Sequence, residues 1–118
     1  MAADIGFQIE AILSEYNEEV QAKVNDAIQS VSKEAVKKLR SDSPKEEGEY
    51  AKGWTSKIEK SHGSVSATIY NKAKPGLAHL LENGHAKVGG GRVSPKTHIK
   101  PVEEWANNEL IREIERAL

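Results

Sequence analysis

A chain of 118 residues with a formal net charge of -1 has the length of one domain, residues 1–118, with one modest core. The balance of 17 Lys and Arg against 18 Asp and Glu excludes a wholly electrostatic, histone-like DNA binder. The absence of cysteine excludes a disulfide framework, a thiolate metal site and a cysteine nucleophile. No stretch approaches the ~18 consecutive apolar residues of a membrane span, and MAADIGFQIEAIL lacks the basic and long apolar regions of a secretory signal. The expectation is a protein made in a cytoplasm, with no membrane partner. Apolar residues at 37% and aromatics at 5% are lean for a compact monomer, which points to a core completed by a partner.

The first predicted element is a long helix over about 4–40. Ile5, Ile9, Ile12, Tyr16, Val20, Val24, Ala27, Val31, Ala35 and Leu39 recur at spacings of three and four, and Leu13 and Ile28 widen the stripe. Asp4 is the expected N-cap. Lys37, Lys38 and Arg40 suit the negative C-terminal end, and Ser41 to Pro44 stop the helix. Such a helix would run about 50 Å, against a radius of gyration of ~13 Å for a compact domain of this size. It must kink, or project and pack on another chain.

A β-rich middle follows over about 50–72. Trp54, Ser56 and Ile58 share one strand face; Val65, Ala67 and Ile69 share another, with Ser66, Thr68 and Tyr70 opposite. Lys60 to Gly63 form the hairpin connection, and Asn71 to Gly76 are turn material. A short helix and a glycine-rich loop occupy about 77–98. Leu77, Leu80 and Leu81 form the helix stripe, Gly84 the C-terminal cap, and residues 85–97 a basic loop. His98-Ile99-Lys100 is expected as a short strand. A C-terminal helix takes about 101–117, opened by Pro101, with Val102, Trp105, Ala106, Leu110, Ile114 and Ala117 on its apolar face. Trp54 and Trp105 are expected in the core. The fold class is α+β: a long N-terminal helix packed on a small antiparallel β-sheet, with a short helix and a C-terminal helix.

The neutral total hides a segregation of charge. Residues 1–47 hold ten acids and six bases, residues 48–102 three acids and nine bases, and residues 103–118 five acids and two bases. The basic middle also holds all four histidines, so it is the part suited to an acidic partner.

Candidate chemistry is sparse. His79 and Glu82 stand three apart on the short helix and could share a metal with His85 or His98, since imidazole and carboxylate suit zinc. His85 follows Gly84, outside that helix, and the spacing matches no established metal motif, so no metal is expected. Gly89-Gly90-Gly91-Arg92 could offer amides and a guanidinium to a phosphate. The lysine, hydroxyl residue and helix that a P-loop requires are missing, and Pro95 stands there instead. No nucleophile elbow and no acid–base pair is present. The reading is no cofactor, no catalytic residues and no enzyme.

Two stretches carry a resemblance. The first is Glu47-Gly48-Glu49-Tyr50-Ala51-Lys52-Gly53-Trp54. The second is His79-Leu80-Leu81-Glu82-Asn83-Gly84-His85-Ala86, then Gly89-Gly90-Gly91-Arg92-Val93 and His98-Ile99-Lys100-Pro101-Val102-Glu103-Glu104-Trp105. In order and spacing, over about residues 1–110, they resemble the tail-component family of long-tailed double-stranded-DNA phages and prophages. These are small neck proteins also called tail-completion or head–tail joining proteins. The sequence departs from that pattern at Glu46-Glu47 and at Thr97, both in loops.

The resemblance implies a structural morphogenesis protein that assembles in a ring, six-fold by expectation, at the virion neck or tail. It implies contacts with the head connector, tail terminator or tail tube, and synthesis in the host bacterial cytoplasm. The next subunit would pack on the N-terminal helix or a sheet edge. Gly84, His85, Lys87, Gly89, Gly90, Gly91, Arg92, Lys96 and His98 form the candidate partner-docking loop. DNA passing through such a ring would meet Lys87, Arg92, Lys96 and Lys100, with no specific DNA binding expected. The alternative class is a small nucleic-acid-binding or regulatory module using the basic middle.

Overall fold

A period of two, not of 3.6, governs the start of the chain. Phe7, Ile9 and Ala11 are buried while Gln8, Glu10 and Ile12 are exposed, the alternation of a half-buried strand. In the computed structural model, which describes residues 5–44, 48–74, 76–87 and 89–118, Ile5–Ile12 is strand β1. This corrects the helix expected from residue 4. Ile5, Ile9 and Ile12 satisfy helical spacing, but Phe7 and Ala11 join Ile9 on one buried side only in a strand, which turns Ile12 out. Asp4, the expected N-cap, lies outside the described residues.

The long helix α1 is Glu18–Asp42. Its cap is Asn17, whose side-chain oxygen accepts from the Val20 N–H at 2.9 Å. Glu18 and Glu19 in the first turn and Arg40 in the last match the helix dipole. At 25 residues it runs about 37 Å. The molecule is still elongated, 59 × 27 × 21 Å with a radius of gyration of 16.2 Å.

The turn α2, Gly48–Lys52, leads into the hairpin of β2, Trp54–Ser61, and β3, Ser64–Asn71. β3 is central: the order is β1-β3-β2, antiparallel throughout. Phe7, Ile9 and Ala11 stand opposite Ile69, Ala67 and Val65, so both strands offer one apolar face. α1 covers that face. α3 is Leu77–Asn83, the two-residue strands β4 and β5 are His85–Ala86 and Arg92–Val93, and α4 is Ile99–Ala117. α4 lies along α1 and reaches β1.

Other boundaries differ from expectation. His98-Ile99-Lys100 opens α4 instead of forming a strand, because its amides meet a carboxylate from α3. The buried face of α3 is Ala78 and Leu81, while Leu80 is 39% exposed. Trp54 is fully buried, but Trp105 is half-buried, with the Lys38 ammonium 4.6 Å from its ring centroid.

Candidate functional site

The two stretches that carry the family resemblance meet in space. Tyr50 from α2, Trp54 from β2 and His98 at the start of α4 pack edge to face, with centroids 5.5, 5.6 and 6.4 Å apart. His98 Nδ1 faces two acceptors, the Lys96 carbonyl at 2.7 Å and a Glu82 oxygen at 3.3 Å, so it carries a proton. In the neutral ring Nε2 then accepts from the Tyr50 hydroxyl at 2.6 Å. Trp54 Nε1 donates to Ser43 Oγ at 2.9 Å, and the Ser43 hydroxyl donates to the Leu39 carbonyl. Asn71 donates to the Tyr50 carbonyl at 2.7 Å, and its side-chain oxygen accepts from the Ala73 and Lys74 amides. This base ties the end of α1 to α2, β2, β3 and the start of α4.

Glu82 locks α3 to α4. Its Oε1 accepts from the His98 and Ile99 amides at 2.8 Å each, and Oε2 from the Lys100 amide at 2.9 Å. The next residue is Pro101, which has no N–H. One carboxylate and one proline therefore account for every orphan donor at this helix start. Burial by itself pushes the Glu82 carboxyl up; the three amides and His98 outweigh it and hold the carboxyl below its ordinary value.

The base carries a hairpin. Strand pairing sets His85 opposite Val93 and Ala86 opposite Arg92. Lys87 N–H donates to the Gly91 carbonyl at 3.0 Å, closing the tip. Gly89, Gly90 and Gly91 have φ of +90, +112 and +81°, a run that only glycine adopts without strain. Lys87, Gly89, Gly90, Gly91, Arg92 and Lys96 are exposed, as are Ser94 to Thr97.

Of the candidate docking residues, the structure gathers most in this hairpin and separates His98 from them. His98 is 3% exposed and turned into the base. Arg92 donates to the Asn83 carbonyl at 2.8 Å, bracing the hairpin on the end of α3. Lys96 N–H donates to the Leu81 carbonyl at 2.7 Å. Gly84 closes α3 at φ +72°, and a Cβ there would stand 2.5 Å from the Val93 carbonyl oxygen.

Gly84→Ala is thus expected to cost about 2–3 kcal/mol, from the left-handed backbone and the clash. Gly89→Ala, with open space around it, carries the backbone strain without the clash and is expected to cost about 1–2 kcal/mol, less than Gly84→Ala. Urea denaturation of both variants separates the two; equal losses would contradict the close approach at Gly84.

The metal reading gains no support from the geometry. Glu82 is occupied by amides, and His79 is exposed on α3 beside the Asn83 side chain at 3.3 Å. Among the described residues no group of three or more His, Asp or Glu could hold a metal ion, and no helix is long and apolar enough to cross a membrane. Sequence reasoning does not single out Tyr50, Ser43 or Asn71 as site residues, and it weighs Glu82 only as a metal ligand. The available signal was Glu82 itself, an acid preceding a basic loop that ends at His-Ile-Lys-Pro.

A buried polar base thus fixes an exposed basic hairpin, an arrangement that suits a protein presenting a surface to a partner. Comparison with known families agrees: residues 7–84 match the HK97-gp10-like model, described as "Bacteriophage HK97-gp10, putative tail-component". The chain belongs to this HK97-gp10-like family of phage tail components. No similar curated protein and no similar solved structure was found.

Proposed function

We propose that this single-domain tail component joins tail to head: it assembles as a ring at the virion neck, six-fold by expectation, and the hairpin docks the adjoining head connector, tail terminator or tail tube. The observation that carries this reading is the hairpin. It is basic and exposed, its tip is three consecutive glycines, and its root is held by Glu82, Arg92 and Gly84. Conformational freedom at the tip with rigidity at the root suits a segment that fits itself to a partner. A protein partner is favoured over DNA, since a passage for DNA should not grip it.

The test replaces Lys87 and Lys96 by Ala together, leaving the Arg92 brace in place. The expected result is at least a ten-fold fall in infectious tailed particles, with the melting temperature of the isolated protein unchanged. An undiminished yield overturns the docking role. Tight, salt-sensitive DNA binding that vanishes in the same variant would assign the hairpin to nucleic acid instead.

A further inference from the structure

The sheet has two open sides. β1 and β2 each pair only with β3 among the described residues. Lys72 N–H reaches the Gly53 carbonyl and Leu13 N–H the Gly63 carbonyl, which fixes the phase of both ladders. Thr55, Lys57 and Glu59 therefore turn their backbone groups toward β3, and Ser56, Ile58 and Lys60 turn theirs outward. On the far side Gln8, Glu10 and Ile12 turn outward. Trp54 belongs to the outward set, and its carbonyl accepts from the Arg40 guanidinium at 3.1 and 2.9 Å. Beyond Trp54 no other strand pairs with the β2 edge among the described residues.

The two sides carry opposite charge. Beside the β2 edge stand Lys33, Lys37 and Arg40 of α1, with Lys57 and Lys60 of the strand itself. The acids there, Glu34 and Glu59, face Lys37 at 4.0 Å and Lys57 at 3.7 Å, which leaves a basic excess. Beside the β1 edge lies a groove floored by Leu110, Ile111 and Ile114 of α4, with Glu10 and Glu15 and no base in its lining. Ile12 and Ile111 are 60% and 57% exposed at its mouth. Half-buried Val36 and Ile58 are the apolar counterparts on the basic side.

We infer that these sides are two halves of one interface: the basic β2 edge of one copy adds to the acidic β1 edge of the next. The inference rests on the ring reading and names its subunit contact. β1 and β2 are both antiparallel to β3, so they run in the same direction and the new pairing is parallel. Edge-on pairing satisfies the outward amides and carbonyls of both strands. Joining β1 to β1 would set Glu10 and Glu15 against their own copies; joining β2 to β2 would set one basic excess, three cations beyond those facing Glu34 and Glu59, against another. The unlike edges attract, which makes the contact head-to-tail, the kind that closes into a ring.

The chain has no cysteine, so introduced thiols are unique. Gln8→Cys and Glu59→Cys lie on exposed positions of the two edge strands; the first leaves the acidic cluster in place, and the second removes only the acid facing Lys57, which adds to the basic excess. Treated with a short bis-maleimide at high protein concentration, the double variant is expected to give a ladder of multimers on a denaturing gel. Each single variant is expected to stay monomeric. In the double-cysteine background, Glu10→Lys with Glu15→Lys should cut the cross-linked fraction at least ten-fold, as should Lys57→Glu with Lys60→Glu. Mixing these two chains should restore the ladder.

Dimers from Gln8→Cys alone would mean that like edges meet, and would overturn the inference. So would a missing ladder while the native mass of the unmodified chain shows oligomers, a result that spares the ring reading. A chain monomeric at every concentration and giving no ladder would overturn both.

Discussion

Trp54→Ala is expected to lower the free energy of unfolding by about 3–5 kcal/mol, the cost of emptying a fully buried aromatic site. The ring is in edge contact with Tyr50 and His98, and its N–H is held by Ser43. It fills the space that Gly6 leaves open: a Cβ at Gly6 would stand 2.9 Å from the indole. A domain of this size has roughly 5–15 kcal/mol of stability in all, so the variant should be marginal. Trp54→Phe keeps most of the apolar contact and loses the bond to Ser43, and should cost about 1–2 kcal/mol. Urea unfolding followed by circular dichroism measures both. A loss under 1 kcal/mol for Trp54→Ala would show that the aromatic base does not hold the fold.

Glu82→Gln should cost about 2–3 kcal/mol at neutral pH, because the neutral amide replaces a carboxylate that accepts three backbone amides with one acceptor and an unwanted donor. The effect has a definite sign with pH. A carboxyl held below its ordinary value in the folded state contributes stability that is fully present above about 4.3, the unfolded value. That contribution is lost as pH falls through the lower folded value. The gap between unmodified protein and variant should therefore be full at pH 7 and narrow below pH 4. A gap that stays constant into acid would show that the charge of Glu82 does not act there. The variant should also loosen the hairpin, whose root Glu82 fixes, and amide exchange at residues 85–93 would report it.

Much of the fold was legible where one periodicity had no rival. Val65, Ala67 and Ile69 alternate over a stretch too short and too β-branched for a helix, and β3 appears there. The stripe from Val24 to Leu39 has no competing alternation, and it is the buried face of α1. Residues 5–12 satisfy both periods, so a helical reading reaches over them. What settled the matter was the open side of β3 and a cap at Asn17, the first a long-range fact and the second easily passed over in favour of Asp4. The glycine run was legible as a basic, glycine-rich segment, though its pairing as β4 and β5 was not, and Gly84 was legible as a helix cap. His98 reads with that loop from sequence because nothing local distinguishes a buried histidine from an exposed one.

By itself the sequence determined the class: a small α+β chain with a long amphipathic helix, no thiol chemistry, a basic middle between acidic ends, and the two motif stretches of a phage tail component. Tertiary structure alone decided what those motifs do. Tyr50 and His98 lie 48 positions apart yet share a hydrogen bond, and Glu82 caps a helix that begins 17 residues later. Periodicity reports which face of an element is apolar, because that depends on neighbours three or four residues away. Which carboxylate meets which amide depends on chain segments that only the folded packing brings together.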